Sequence, residues 1–319
     1  MDLDWLVEFL FTIIRLSTPL IFAALGAVIS RKAGVLNLAL EGMMLVAALT
    51  GVVFSAITQS WIVGLLTAVL GSMLMATIIS YCFLVIKTDL YLTCIATNMA
   101  SIGGTVFVMF LLTGSKATTA EALRSMSIPR IDLPLIKDIP YIGDVLSGHN
   151  LLTYVSFAMV FFAWFLIYKT RIGLRMRAVG EAPEAVESVG ISVPKIKYIS
   201  FLLSGVFAGF GGAFMSMSYV TWFSRDMVAG RGFIGMSIMN IANASPVGSL
   251  GASFIFGGAD ATAKYLQLQN LPTDLVFMVP YAVTIIALTV ISIVRIRRED
   301  RIVHGKSLRR KKATEKAAE

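Results

Sequence analysis

Long apolar runs recur along this chain, separated by short basic clusters. They can be drawn at 5–30, 35–57, 61–86, 90–113, 151–168, 198–222, 233–244, 247–268 and 275–296. Most approach the roughly 20 residues that a helix needs to cross a ~30 Å hydrocarbon core. Backbone groups in such a core must be satisfied within the segment, so these runs are expected to be helices. Only 14% of residues are charged, against about 25% in a soluble domain. The expected fold class is all-α: a polytopic helical membrane protein with about nine membrane segments.

Direction follows from the basic residues. If crossings alternate, Arg31, Lys32, Lys87, the cluster Lys169, Arg171, Arg175 and Arg177, then Lys195 and Lys197 all fall on one side. Positive charge collects on the cytoplasmic side. The residues from Arg295 to the end carry 10 Lys or Arg and 4 Asp or Glu, leaving 17 basic and 15 acidic residues elsewhere. The net charge of +8 is thus mostly one tail. Such a tail fits attraction to anionic lipid better than nucleic-acid binding. The expected division is a transmembrane domain over 1–296 and a basic cytoplasmic tail over 297–319, with the N-terminus outside. Asp2, Asp4 and Glu8 precede or open the first run, which has no basic leader. That run is expected to remain as a helix and not to be cleaved as a signal peptide.

The 113–150 link is expected outside. It mixes charges with Pro129, Pro134 and Pro140, and it is too long for a mere connection. It is either a docking surface or a passive cap. Run 233–244 is short for a span and is followed by a turn at 244–248, which predicts a half-helix or re-entrant hairpin.

Several motifs point away from catalysis. Gly230-Arg231-Gly232-Phe233-Ile234-Gly235 matches GxGxxG by letter, but it lies between membrane segments without the strand that a dinucleotide site needs. Gly305-Lys306-Ser307 resembles the end of a phosphate-binding loop, but Asp300 stands where its first glycine belongs. His149 and His304 have no cysteine or carboxylate cluster nearby, and Cys82 and Cys94 lie in apolar runs. No catalytic set, metal site or ATP site is expected in this chain.

Polar residues deep in the membrane carry more information, because their placement costs free energy unless they are paired or line a cavity. Glu41 lies 9 residues past Lys32, Asn98 lies 11 past Lys87, and Asn240 lies 9 past Arg231. At ~1.5 Å per residue each lands roughly 13–17 Å deep, near the midplane. Asn37, Glu41, Asn98, Asn240 and Asn243 are the expected pathway residues; the alternative is that each amide joins two helices. Glu41 has a further alternative, an ion pair with Arg15. Asp260 and Lys264 are four apart, a spacing that predicts mutual neutralisation. Gly205, Gly209 and Gly212 mark a small-residue face for close helix packing.

The 169–197 segment contains Gly180-Glu181-Ala182-Pro183-Glu184-Ala185-Val186-Glu187-Ser188-Val189-Gly190. Pro183 suits the first turn of a short helix, acidic residues suit its positive end, and Gly190 can terminate it. A capped helix held between two spans can transmit force from a partner, whereas a solvated connector needs no such signals.

These residues resemble a known family, the permease subunits of bacterial ABC importers for branched-chain amino acids, simple sugars and nucleosides. Arg31-Lys32-Ala33-Gly34-Val35-Leu36-Asn37-Leu38-Ala39-Leu40-Glu41-Gly42-Met43-Met44 is similar to the family's early signature, and its Glu-Gly-Met-Met form is most like the nucleoside and simple-sugar branch. Residues 180–191 look like the coupling segment, and Gly230–Gly235 like the glycine-rich start of a late half-helix. Where many relatives carry Gly-Arg-Trp-Asn-Pro, this chain has Ile241-Ala242-Asn243-Ala244-Ser245-Pro246 and keeps only the proline clearly.

The resemblance implies a type II-like permease in the cytoplasmic membrane that carries a nucleoside or related ribosyl or simple-sugar solute inward. It implies a second permease subunit, identical or paralogous, and a separate ATPase, binding ATP and Mg, on Gly180, Glu181, Ala182, Pro183, Ala185 and Gly190. It also implies an extracytoplasmic solute-binding protein. Asn98, Asn240 and Glu41 could face a ribose, and Phe107, Trp222 or Phe233 a base. An ion-coupled secondary transporter is the rival from another class; a membrane enzyme or scaffold lacks a visible catalytic set.

Overall fold

The computed structural model describes residues 3–132 and 142–267, with single positions 282 and 289 beyond them. Apart from those two positions, the run at 275–296 lies outside the described residues, as do the 297–319 tail, His304 and Gly305-Lys306-Ser307. The described chain is a helical bundle. Its long helices are α1 (Leu3–Lys32), α2 (Leu40–Thr58), α3 (Trp61–Leu84) and α4 (Leu90–Thr113). After the link come β1 (Arg130–Ile131), α5 (Ile142–Leu146), β2 (His149–Asn150) and α6 (Leu151–Lys169). Then follow α7 (Arg171–Glu181), α8 (Pro183–Ser188), α9 (Val193–Ala213) with π-helical turns over Phe214–Tyr219, α10 (Arg231–Ile241) and α11 (Pro246–Gln267).

Among the described residues, six helices are long and apolar enough to cross a membrane: Trp5–Lys32, Leu40–Thr58, Trp61–Leu84, Leu90–Thr113, Leu151–Lys169 and Val193–Tyr219. The chain is accordingly a multi-pass membrane protein of the all-α class. Helices α1, α2 and α9 form the centre, with α1 against α9, α10 and α11, and α2 against α3 and α9. Outside them, α3 exposes Leu66, Leu70, Leu74 and Ile78 at helical spacing, and α4 exposes Leu92, Ile95, Met99 and Ile102. Apolar stripes of this kind suit lipid or another membrane subunit.

Close packing at the centre depends on small residues. A Cβ on Gly205 would meet Ala76 Cβ at 3.0 Å, one on Gly209 would meet Val69 Cα at 2.7 Å, and one on Gly212 would meet Ala47 Cβ at 2.8 Å. Gly205 and Gly209 therefore seat α9 on α3, and Gly212 seats it on α2.

Three element boundaries differ from the sequence reading. Run 35–57 becomes helical only at Leu40, because residues 33–39 form two turns around an irregular stretch, held in part by the Asn37 side chain. Run 198–222 starts earlier, at Val193, with Pro194 in the first turn, where its missing N–H costs nothing. Residues 171–181, given no element of their own from the sequence, form a helix. Thr170 accepts from the Gly173 N–H at 3.1 Å, and Gly173, Met176 and Val179 bury one face at three-residue spacing.

The described part of the link is tied to its own chain. The Thr119 N–H donates to the Phe223 carbonyl at 2.9 Å, Phe223 N–H returns a bond to Thr119 Oγ1 at 3.0 Å, and Ser125 N–H donates to the Thr221 carbonyl at 2.8 Å. Carbonyls loosened by the π-helical turns find partners in the same layer, Ile128 N–H on Met217 and Asn150 Nδ2 on Ser218. Strands β1 and β2 pair antiparallel, Arg130 opposite Asn150.

Candidate functional site

Two helices begin inside the bundle, and one carboxylate joins them. Helix α10 has 11 residues, about 16 Å at 1.5 Å per residue, too short to cross a membrane. Its N-terminus follows an irregular loop, and its first N–H groups have no partner within the helix. Glu41 supplies partners: Oε1 accepts from the Gly230 N–H at 2.8 Å and Oε2 from the Gly232 N–H at 2.7 Å. The charge also faces the positive end of the helix dipole. Glu41 lies in the first turn of α2, so it serves two helix starts at once.

The glycines of residues 230–235 each have a steric reason. Gly230 has φ +81°, a left-handed conformation that side chains resist. A Cβ on Gly232 would meet Glu41 Cα at 2.7 Å, and one on Gly235 would meet Ala23 Cβ at 2.5 Å. The GxGxxG pattern therefore marks a packed helix start and not a dinucleotide turn.

The start of α2 is held by two asparagines. Asn98 Oδ1 accepts from the Gly42 N–H at 2.8 Å, and Asn98 Nδ2 donates to the Leu38 carbonyl at 2.9 Å. Asn37 Oδ1 accepts from the Ala39 N–H at 3.1 Å, while its Nδ2 donates to Ser204 Oγ at 2.9 Å. Gly42 allows α4 to approach: a Cβ there would meet Ser101 Oγ at 2.7 Å.

The structure thus brings Asn37, Glu41 and Asn98 together, buried, with their polar atoms on backbone, on Ser204 or on the Met43 sulfur. It does not bring Asn240 and Asn243 to them. Both are exposed, Asn240 in the last turn of α10 and Asn243 in the following turn at φ +51°. Phe233 shares the exposed side of α10 at 47% exposure, and Phe107 points outward on α4. Two proposed ion pairs are corrected. Arg15 does not pair with Glu41; its guanidinium donates to the Tyr219 carbonyl at 3.0 Å and lies over the Tyr219 ring. Asp260 does not neutralise Lys264; it lies 3.8 Å from Arg231, and Lys264 reaches the Tyr219 hydroxyl. Helical spacing brings residues near each other without deciding the partner, and these side chains turn toward other helices.

At the end of the bundle where α6 stops and α9 starts, α7 and α8 form an open groove of about 610 Å³. Glu181, Ala182 and Ala185 line it, with Leu174 60% and Val189 71% exposed. Pro183 opens α8, and Gly190, at φ +79°, ends it. Gly180 packs behind the groove: a Cβ there would collide with the Lys32 carbonyl and meet the Gly34 nitrogen at 3.1 Å. Sequence reasoning missed this contact and the Ser204 partner of Asn37, because neither side leaves a spacing signal of its own.

Comparison with known proteins agrees with this architecture. The chain is 33% identical over 285 residues to the guanosine ABC transporter permease protein NupQ of Bacillus subtilis strain 168, covering 86% of this chain and 88% of that protein. It is 30% identical to the nucleoside ABC transporter permease protein NupC of Lactococcus lactis, covering 85% and 88%. The putative glucose ABC transporter permease protein TsgC13 of Haloferax volcanii is also 30% identical, over 82% and 78%. Among solved structures, PsaBC from Streptococcus pneumoniae in complex with Fab matches with a TM-score of 0.52 at 14% identity, over 87% of this chain and 89% of that one, a likeness of fold. Residues 9–288 match the family model for the permease component of branched-chain amino acid transport systems. A bundle with broken helices bound through Glu41, a match over most of its length and full-length permease relatives lead to one conclusion: this chain belongs to the branched-chain amino acid transport system permease family.

Proposed function

We propose that the chain is the membrane-spanning permease subunit of an ATP-driven importer that carries a nucleoside into the cytoplasm. The observation that carries this reading is the similarity to the guanosine and nucleoside permeases over 85% or more of the chain. A separate ATPase, with its ATP and Mg, would dock on the α7–α8 groove, whose exposed apolar floor and short capped helix suit a rigid partner. A solute-binding protein would deliver solute at the opposite end, and a second permease subunit, copy or paralogue, would complete the pathway. In this reading Asn240, Asn243 and the exposed side of α10 face the solute. Asn37, Glu41 and Asn98 hold the broken helices that move. Sugar transport is the second reading, favoured by the similarity to the glucose permease.

Reconstituting the permease with its ATPase and binding protein in liposomes tests the proposal. The expected result is ATP-dependent accumulation of labelled guanosine over labelled glucose. Preference for glucose selects the second reading, and uptake driven by an ion gradient without ATPase overturns both.

A further inference from the structure

The end of the bundle opposite α7 and α8 holds a cluster of cations that the transport reading does not use. Arg15 projects from α1 into two adjoining cavities, one of about 490 Å³, and Arg130 lines both. The ring of Tyr219 lies between charges: the Arg15 guanidinium carbon is 4.6 Å from its centroid and Lys264 Nζ is 4.5 Å away. Among the described residues none of the three cations makes an ion pair; the pair that forms joins Arg231 to Asp260. Arg15 places one N–H on the Tyr219 carbonyl, and a guanidinium carries five donors. The others are left for the cavities it lines.

Arg15 is half-buried, and a cation drawn out of water costs free energy unless something opposes its charge. Asp132 reaches only the Gly148 edge of the smaller cavity, and the larger one is lined by two arginines and no carboxylate, so the missing element there is negative. Asn150 and Trp222 complete the larger cavity with an amide and a ring. Each planar guanidinium presents a fork of donors that matches phosphate and carboxylate oxygens.

We propose that this cavity binds an oxyanion, a phosphate or carboxylate group, held by Arg15 and Arg130 beside Tyr219. Neither Glu41 nor any residue of α10 lines the cavity, and the proposal does not depend on which solute is carried.

The test uses the full chain in nanodiscs of zwitterionic phosphatidylcholine, titrated with inorganic phosphate and separately with acetate. Calorimetry and intrinsic tryptophan fluorescence are the readouts, Trp222 being the one of the four tryptophans that lines the cavity. Saturable binding is expected, the stronger arm naming the oxyanion. Because a charge-assisted hydrogen bond is lost, Arg130→Gln should weaken it about tenfold or more. Arg130→Lys should restore part of the loss, and Arg15→Gln should abolish binding. Arg124→Gln should bind as wild type, since that exposed guanidinium rests on the Ala120 carbonyl of its own segment. Arg130 is exposed, so its variant remains informative if Arg15→Gln fails to fold. Repeating the titration with phosphatidylglycerol in the discs separates two sources. Weakened phosphate binding assigns the group to a lipid headgroup, and unchanged binding assigns it to a free solute. Absence of saturable binding to either anion, or undiminished binding in Arg130→Gln, overturns the proposal.

Discussion

Glu41 Oε2 and the Gly232 N–H meet at 2.7 Å, joining the first turn of α2 to the first turn of α10. Two separate helix starts thus share one negative charge. Replacing it with Glu41→Gln leaves an amide with one acceptor for two N–H groups and turns a donor toward them. Losing a charge-assisted bond and stranding a buried N–H should cost about 1–3 kcal/mol. The thermal midpoint in detergent should fall and uptake with it, while Glu41→Asp, too short to reach both amides, should also be impaired. A Gln variant with unchanged midpoint and uptake would mean the carboxylate does not anchor α10.

Asn98 separates a structural role from a pathway role. Asn98→Ala strands the Gly42 N–H and the Leu38 carbonyl, each at about 1–3 kcal/mol when buried without a partner. The expected outcome is a lower midpoint with an unchanged KM for the molecules that remain folded. Asn240→Ala should behave in the opposite way, raising KM at constant midpoint, because its side chain is exposed. Uptake kinetics alongside thermal unfolding would distinguish the cases.

Much of this architecture can be read from the residues, because lipid allows few alternatives. Apolar run length located α3, α4, α6 and the short α10, and Pro183 with Gly190 bounded α8. Partner choice was less legible. Glu41 was visible as a deep carboxylate, but its partners are backbone amides almost two hundred residues away, and an amide has no sequence letter. The same reason hides Asn98 on Gly42. Arg15 looked like the natural counter-ion of Glu41 because opposite charges suggest pairing, yet Arg15 sits toward the far end of the bundle beside Tyr219. Helix α7 was hidden by its arginines, whose charge obscured the buried Gly173, Met176 and Val179 face.

Gly180 stands where the α7–α8 groove meets the rest of the bundle. A side chain there collides with the Lys32 carbonyl and crowds Gly34, the turn that leads to the irregular start of α2. Gly180→Val should displace α7 while leaving the exposed groove lining chemically intact. ATPase co-purification should persist, and ATP-driven uptake should fall about tenfold or more, the scale of about 1.4 kcal/mol in coupling. Normal uptake by this variant would show that force does not pass through the contact.

His149 gives the fold a pH dependence outside the membrane spans. Its ring stacks on Phe11 with centroids 3.9 Å apart and contacts the Val145 carbonyl at 2.9 Å. Burial pushes its pKa below the ordinary 6.5; the Val145 carbonyl opposes that shift, and the Arg15 charge adds to it. In the window just below 6.5 the unfolded chain therefore binds more protons than the folded one, so stability must rise with pH there. The contribution is fully present above the unfolded value and is lost as pH falls toward the folded one. His149→Phe keeps a ring against Phe11 and removes the titration. Thermal midpoints measured at about pH 7.5 and about pH 5.5 should differ less in the variant than in the wild type, because acidification no longer acts through this ring. An equal or larger difference in the variant would place the acid sensitivity on other groups.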